Sequence, residues 1–366
     1  ISCSLVGSEM CIRDRCYNLG KEDRYMKAAT IKGKKLIETV DINEAQSDGN
    51  KVIADVILCG ICGSDIHNWD AGSPVGLVMG HEICARVVDP GCRSDLKVGD
   101  RISALPVSPC LKCDACLSGN IQYCPETWTH ALGLSLDNPG GLTRRIAIRP
   151  DMVVKVPDNI SDEEVAMVEP AAVGLHAVHL GNIEAGDKVL IIGGGIIGLM
   201  SGLFAKLQGA SYVALMEVNE ARGKRSVELE VADEWFDAKD ENVINTLMEK
   251  SNGGFEVVID ASGNSAAVNS AVTACKPGGL VVLAGVATGP INFYSVLAVT
   301  KELTVKGSIA YTKREFEMVI DLMSHKRISV LKFLSDTVSL DEVQGAYERL
   351  TSGSDSAIKI LVDPNR

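Results

Sequence analysis

The apolar positions of this chain change their spacing along its length, and the changes divide it. From Met26 to about Pro170, short runs mix alternation with β-branched residues, as in Val52-Ile53-Ala54-Asp55-Val56-Ile57-Leu58, and turns such as Val98-Gly99-Asp100-Arg101 separate them. That texture predicts a β-rich region. Near Asp187 it gives way to Lys188-Val189-Leu190-Ile191-Ile192, a short strand without polar alternation, then glycines and a helix-like run to Gly209. Tyr212–Met216, Phe255–Asp260 and Leu280–Ala284 predict further strands, with helical stretches between them. Wholly apolar strands alternating with helices predict a parallel sheet covered on both faces. Towards the C-terminus, Phe316, Val319, Ile320 and Met323 fall at i, i+3, i+4 and i+7, the spacing of an amphipathic helix. Ser339 followed by Glu342 predicts a capping box ahead of Val343, Ala346 and Leu350, and Ile358–Val362 predicts a closing strand.

At 366 residues the chain is long for one core, so two domains are expected. Residues 26–170 and 311–366 form one, and 171–310 the other. Residues 1–25 lack an initiating Met, a signal-peptide layout and any apolar period. They are expected to be a non-native or disordered extension, with Met26-Lys27-Ala28-Ala29 as the start of the fold. A net charge of −12 argues against nucleic acid or an anionic membrane as partner. The uncharged run Pro277–Thr300 is interrupted by Gly278, Gly279, Gly285, Gly289 and Pro290, so no transmembrane segment is expected.

Of twelve cysteines, four stand as C-x2-C-x2-C-x7-C: Cys110, Cys113, Cys116 and Cys124. Four thiolates this close suit one tetrahedral, closed, structural zinc, within a lobe spanning 107–126. The remaining cysteines are scattered, which fits a reducing cytoplasm. A second group lies upstream. Cys62, His81 and a carboxylate would make three protein ligands and leave one position of a catalytic zinc open. Cys59 is expected to be a buried small hydrophobe.

Gly193-Gly194-Gly195-Ile196-Ile197-Gly198 satisfies G-x-G-x-x-G after an apolar strand and before a helix. Gly193 permits the tight turn, Gly195 the approach of a pyrophosphate, and Gly198 close helix–strand packing. Glu217 ends the next strand, where a carboxylate accepts from ribose hydroxyls and repels a 2′-phosphate; NAD is therefore expected over NADP. Arg222 either flanks the adenine or reaches a 2′-phosphate.

In order, GICGSDIH (Gly60–His67), GHE (Gly80–Glu82), the cysteine lobe, Glu169-Pro170 and GGGIIG resemble the zinc-dependent medium-chain dehydrogenases/reductases, closest to the polyol and sorbitol-type branch, with threonine and butanediol dehydrogenases nearby. The resemblance covers about Met26 to Pro364. It implies an α/β fold, with a doubly wound Rossmann sheet and a β-rich GroES-like catalytic domain bearing the structural-zinc lobe. It also implies two zinc ions per chain, NAD, a small alcohol or polyol substrate, and a homodimer or homotetramer. Cys62 and His81 become zinc ligands, with Glu82 or Glu169 as third; Asp65 orients His81, Ser64 takes the substrate proton, and His67 relays it to solvent. Two positions depart from sorbitol dehydrogenases: Asn68 stands where an aromatic follows the relay histidine, and Ala310 where an arginine precedes the tyrosine. Both weigh against sorbitol itself. The expected activity is hydride transfer between a secondary alcohol or polyol and NAD. The alternatives are threonine, butanediol or a sugar acid as substrate, a lyase or epimerase cycle on bound NAD, and a non-redox metal- or dinucleotide-binding protein.

Overall fold

The computed structural model describes residues 25–366 except 288 and 354. The proposed extension, residues 1–25, lies outside the described residues save for Tyr25. That residue opens the first described strand and pairs with Asn43.

Strands β1 (Tyr25–Gly33) and β2 (Leu36–Asn43) form an antiparallel hairpin. Strands β3 (Val52–Gly60), β4 (Glu82–Asp89), β5 (Arg101–Ala104), β6 (Arg145–Ile148) and β7 (Val153–Lys155) build most of a second, larger sheet. Then come β8 (Lys188–Ile192), β9 (Tyr212–Glu217), β10 (Glu234–Asp237), β11 (Phe255–Asp260), β12 (Cys275–Leu283) and β13 (Thr304–Gly307), all parallel, in the order β10-β9-β8-β11-β12-β13. This is the doubly wound order, which reverses direction beside β8 and opens a crevice there. Val189, Leu190 and Ile191 of β8 are fully buried, because helices cover both faces; hence the run lacks alternation.

The last strands, β14 (Leu334–Ser339) and β15 (Lys359–Asp363), return to the larger sheet, where β15 pairs with β3 at Leu361↔Gly60 and Val362↔Cys59. That pairing joins the C-terminus to the strand end that leads into Cys62. Helix Val168–Gly181 packs against helices Ile196–Gln208 and Lys313–Ser324 and against β4, β11 and β12, so it touches both sheets. The amphipathic helix expected near Phe316 spans Lys313–Ser324, with Phe316, Val319, Ile320 and Met323 buried. Ser339 and Glu342 form the expected capping box.

Candidate active site

Cys62 follows β3 directly and precedes helix Gly63–Ala71, whose Asp65 accepts a 3.0 Å hydrogen bond from the Cys62 amide. Antiparallel pairing sets Gly60 of β3 opposite Glu82 of β4, which brings His81-Glu82 alongside Cys62. A Cβ on Gly60 would stand 1.9 Å from the Glu82 carboxylate, so only glycine lets the two strands meet in this way. Glu169 enters from the first turn of helix Val168–Gly181.

Asp65 is fully buried, with Oδ1 3.5 Å from His81 Nδ1. A carboxylate on that nitrogen leaves Nε2 for another task, as expected of an orienting partner. Ser64 Oγ lies 3.5 Å from His81 Nε2, so the serine faces the same point. His67 is exposed on the same helix, where a relay to solvent has to end. Burial would pull the His81 imidazole down, but Asp65 and Cys62 beside it hold it well above its ordinary value. Burial pushes the Glu169 carboxyl up to about 7, against the pull of His81.

Two neighbours were not anticipated as site residues. Lys359 of β15 is fully buried and forms an ion pair with Glu82, and its Nζ also donates to the Ile61 carbonyl at 2.8 Å. Tyr311 is also buried, which with the charge of Glu169 raises its phenol well above the usual range, and its hydroxyl has no hydrogen-bond partner among the described residues. Lys359 lies 277 positions from Glu82, and no local spacing announces a cation behind a metal site. A lysine inside an apolar closing strand was the available signal.

The donor set suits a divalent cation. The charges of Glu82, Cys62 and Glu169 act on the buried Lys359, and Glu82 Oε1 is buried without a hydrogen-bond partner among the described residues. Thiolate, imidazole and carboxylate are the ligand types zinc takes. Among the described residues, though, three or more ligating atoms within 4.8 Å of one another occur only in the cysteine lobe. There Cys113 Sγ is 3.6 Å and Cys110 Sγ 4.0 Å from Cys116 Sγ, and the Cys110 and Glu126 amides donate to Cys124 Sγ at 3.3 and 3.4 Å. Those amides pull the Cys124 thiol down towards the thiolate, while burial and Cys113 push Cys116 up. The cysteines fit a structural metal that no reacting group approaches.

At the dinucleotide crevice, Gly193 takes φ +104°, which only glycine adopts without strain, and a Cβ on Gly198 would stand 1.9 Å from the Gly193 carbonyl. Nothing lies within 4 Å of the position a Cβ on Gly195 would take, so the helix N-terminus stays open for phosphate, with Ile196 and Ile197 in its first turn. Glu217 receives the Gly194 amide on Oε2 at 2.5 Å and the Asn219 amide on Oε1 at 2.8 Å. Arg222 Nη2 donates to the Leu350 and Ala357 carbonyls, at 3.2 and 3.0 Å, so it ties this loop to the C-terminal return.

Residues 48–158 match the alcohol dehydrogenase GroES-like domain, and residues 197–325 match the zinc-binding dehydrogenase family. The chain is 32% identical over 327 residues to a protein of Aspergillus clavatus named probable D-xylulose reductase A, covering 86% of this chain and 90% of that one. D-xylulose reductase A of Aspergillus oryzae is 30% identical over the same length and coverage. Among solved structures, 2R,3R-butanediol dehydrogenase of Bacillus subtilis superposes with a TM-score of 0.83 at 30% identity, covering 93% of this chain and 100% of that one. A zinc-binding dehydrogenase of Sinorhizobium meliloti bound to NADP superposes with a TM-score of 0.85 at 27% identity, with the same coverage. The chain belongs to the zinc-dependent medium-chain alcohol dehydrogenases.

Proposed function

We propose that this protein transfers a hydride between a secondary alcohol or polyol and NAD at a zinc held by Cys62, His81 and Glu169. The observation that carries this reading is the convergence of Cys62, Ser64, Asp65, His81 and Glu169 at the end of β3. Zinc supplies Lewis acidity at the alcohol oxygen. The remaining work falls to the chain. Ser64 accepts the substrate proton, and His67, exposed three residues further along the chain, delivers it to water. Asp65 keeps the His81 ring in register. The glycine turn and Glu217 hold the dinucleotide so that its nicotinamide reaches the site. Glu169 is assigned as third ligand because Glu82 already has its charge balanced by Lys359, whereas Glu169 enters no ion pair among the described residues.

The xylulose reductase and butanediol dehydrogenase relatives favour a small polyol or vicinal diol, and Asn68 and Ala310 disfavour sorbitol. The test is NADH formation across secondary alcohols, sugar alcohols and sugar-acid alcohols. Turnover of none of them would remove the reading, and a preference for NADP would remove its cofactor half.

A homodimer is proposed through β13. This strand ends the parallel sheet with all four residues exposed, beside the exposed Val296 and Val299, an unpaired edge of the kind that proteins cover. Val299→Glu with Val305→Glu should shift the elution and scattering mass towards one chain; an unchanged mass would place the interface elsewhere.

A further inference from the structure

The helix that follows Glu217 is fastened at both ends to the last stretch of the chain. Asn219 caps helix Glu220–Glu228, its Oδ1 accepting the Arg222 amide at 3.1 Å, while its own amide donates to Glu217 Oε1 at 2.8 Å. The same side chain donates from Nδ2 to the Gly353 carbonyl at 3.0 Å. Arg222 Nη2 reaches the carbonyls of Leu350 and Ala357, on either side of Gly353 in the chain. At the other end of the helix, Lys332 Nζ donates to the Leu229 carbonyl at 2.6 Å, where a cation also suits the helix dipole. Ala357 lies two residues before Lys359, the first residue of β15. Lys359 Nζ donates to the Ile61 carbonyl at 2.8 Å, and the Ile61 amide donates to the Ile360 carbonyl at 3.1 Å. Cys62 is the next residue. Hydrogen bonds and short chain steps therefore run without a gap from the carboxylate at the dinucleotide crevice to the turn that presents Cys62.

We propose that Asn219 and Arg222 are positioning residues that couple the ribose site to the reacting site: a dinucleotide bound at Glu217 steadies the Ile61–Cys62 turn through the connection into β15. The inference rests on the reading that Glu217 accepts from the ribose. A carboxylate offers about four acceptor sites, and the Gly194 and Asn219 amides occupy only part of that capacity, so ribose hydroxyls join them rather than displace them. Binding then stiffens the Glu217–Asn219 turn, and a segment bonded to a stiffened turn opens less often. Arg222 suits the task because its guanidinium stays charged and donates to both carbonyls from one nitrogen. Asn219 suits it because one amide side chain accepts from the helix and donates to Gly353 at once.

The probe is 5′-AMP, which carries the ribose hydroxyls that Glu217 would bind and no nicotinamide, so it acts on Cys62 only through the protein. The readout is hydrogen exchange at the Ile61 amide, resolved by fragment mass spectrometry, which needs neither substrate nor turnover. In the native protein, saturating AMP should slow that exchange roughly threefold or more, a change in local opening of the kind that exchange resolves. In Arg222→Met at saturating AMP the slowing should vanish. Asn219→Ser keeps a capping oxygen but has no amide to donate to Gly353, so it should weaken the slowing while the helix stays formed. Should Arg222→Met fold poorly, Asn219→Ser decides by itself. Slowing that persists undiminished in both variants would overturn the proposal. With NAD saturating, Arg222→Met should also lower kcat roughly tenfold, since small misplacements of reacting groups are felt on that scale; an unchanged kcat would confine the clasp to holding the fold and overturn the coupling. Failure of AMP to bind the native protein, or binding that Glu217→Ser leaves unaltered, would refute the ribose reading of Glu217 and the proposal with it. AMP bound through Glu217 without effect at Ile61 would refute the coupling and leave that reading standing.

Discussion

Lys359 and Glu82 form an ion pair in which neither side chain has any exposed surface. Burial would pull the Lys359 ammonium down, but the charge of Glu82 outweighs it and keeps the lysine protonated. Removing one partner of such a pair strands the other charge, whereas removing both together is far milder. Lys359→Met should therefore cost about 3–5 kcal/mol in urea unfolding, and Lys359→Met with Glu82→Gln should recover most of that loss. Equal losses in the single and double variants would show that the lysine acts by packing alone.

Metal content separates the two sites. The native protein should bind about two zinc ions per chain, and Cys62→Ser about one, with NADH binding retained and alcohol turnover abolished. Glu169→Gln should lower zinc retention at the reacting site more than Glu82→Gln does. A native content near one, lost only on changing Cys110, Cys113, Cys116 or Cys124, would refute the reacting metal.

Glu217 holds the glycine turn through the Gly194 amide, and its proposed role is to accept from the ribose. Glu217→Ser with Val218→Arg should raise the KM for NAD at least tenfold and lower that for NADP, on the order of the 1.4 kcal/mol that a tenfold change represents. Val218 is exposed, so the arginine has room to extend. Native preference for NADP would contradict the role given to Glu217.

Glu315 makes the fold sensitive to acid. Burial alone would raise its carboxyl, but His176, His179 and the Thr312 amide hold it well below its ordinary value of 4.5. A carboxyl depressed in the folded state contributes stability that is fully present above its unfolded pKa and is lost as the pH falls through the folded value. Melting temperature should therefore fall as the pH drops below about 4.5, and Glu315→Gln should show a shallower acid limb, with its deficit against the native protein largest above that pH. Parallel acid limbs in the two proteins would rule the linkage out.

Much of this protein was legible from local spacing. The C-x2-C-x2-C-x7-C lobe, the glycine turn with Glu217, and strands β8 and β11 lie where the sequence pattern puts them, because each is set by contacts within a few tens of residues. The same holds for the capping box at Ser339, while Asp65 lies beside His81 as the family resemblance implies. Tertiary structure decided what depends on distant strands meeting. Pairing of β15 with β3 sets the buried Lys359 against Glu82, a contact that no local spacing records. Packing of helix Lys313–Ser324 on helix Val168–Gly181 brings Glu315 to His176 and His179, three residues that share no motif. Arg222 stands five residues after Glu217, and its guanidinium meets carbonyls more than a hundred residues away. Periodicity and motif spacing record which residues must be near one another along the chain. A buried charge takes whichever partner the fold brings to it, and that choice is made only when the sheets close.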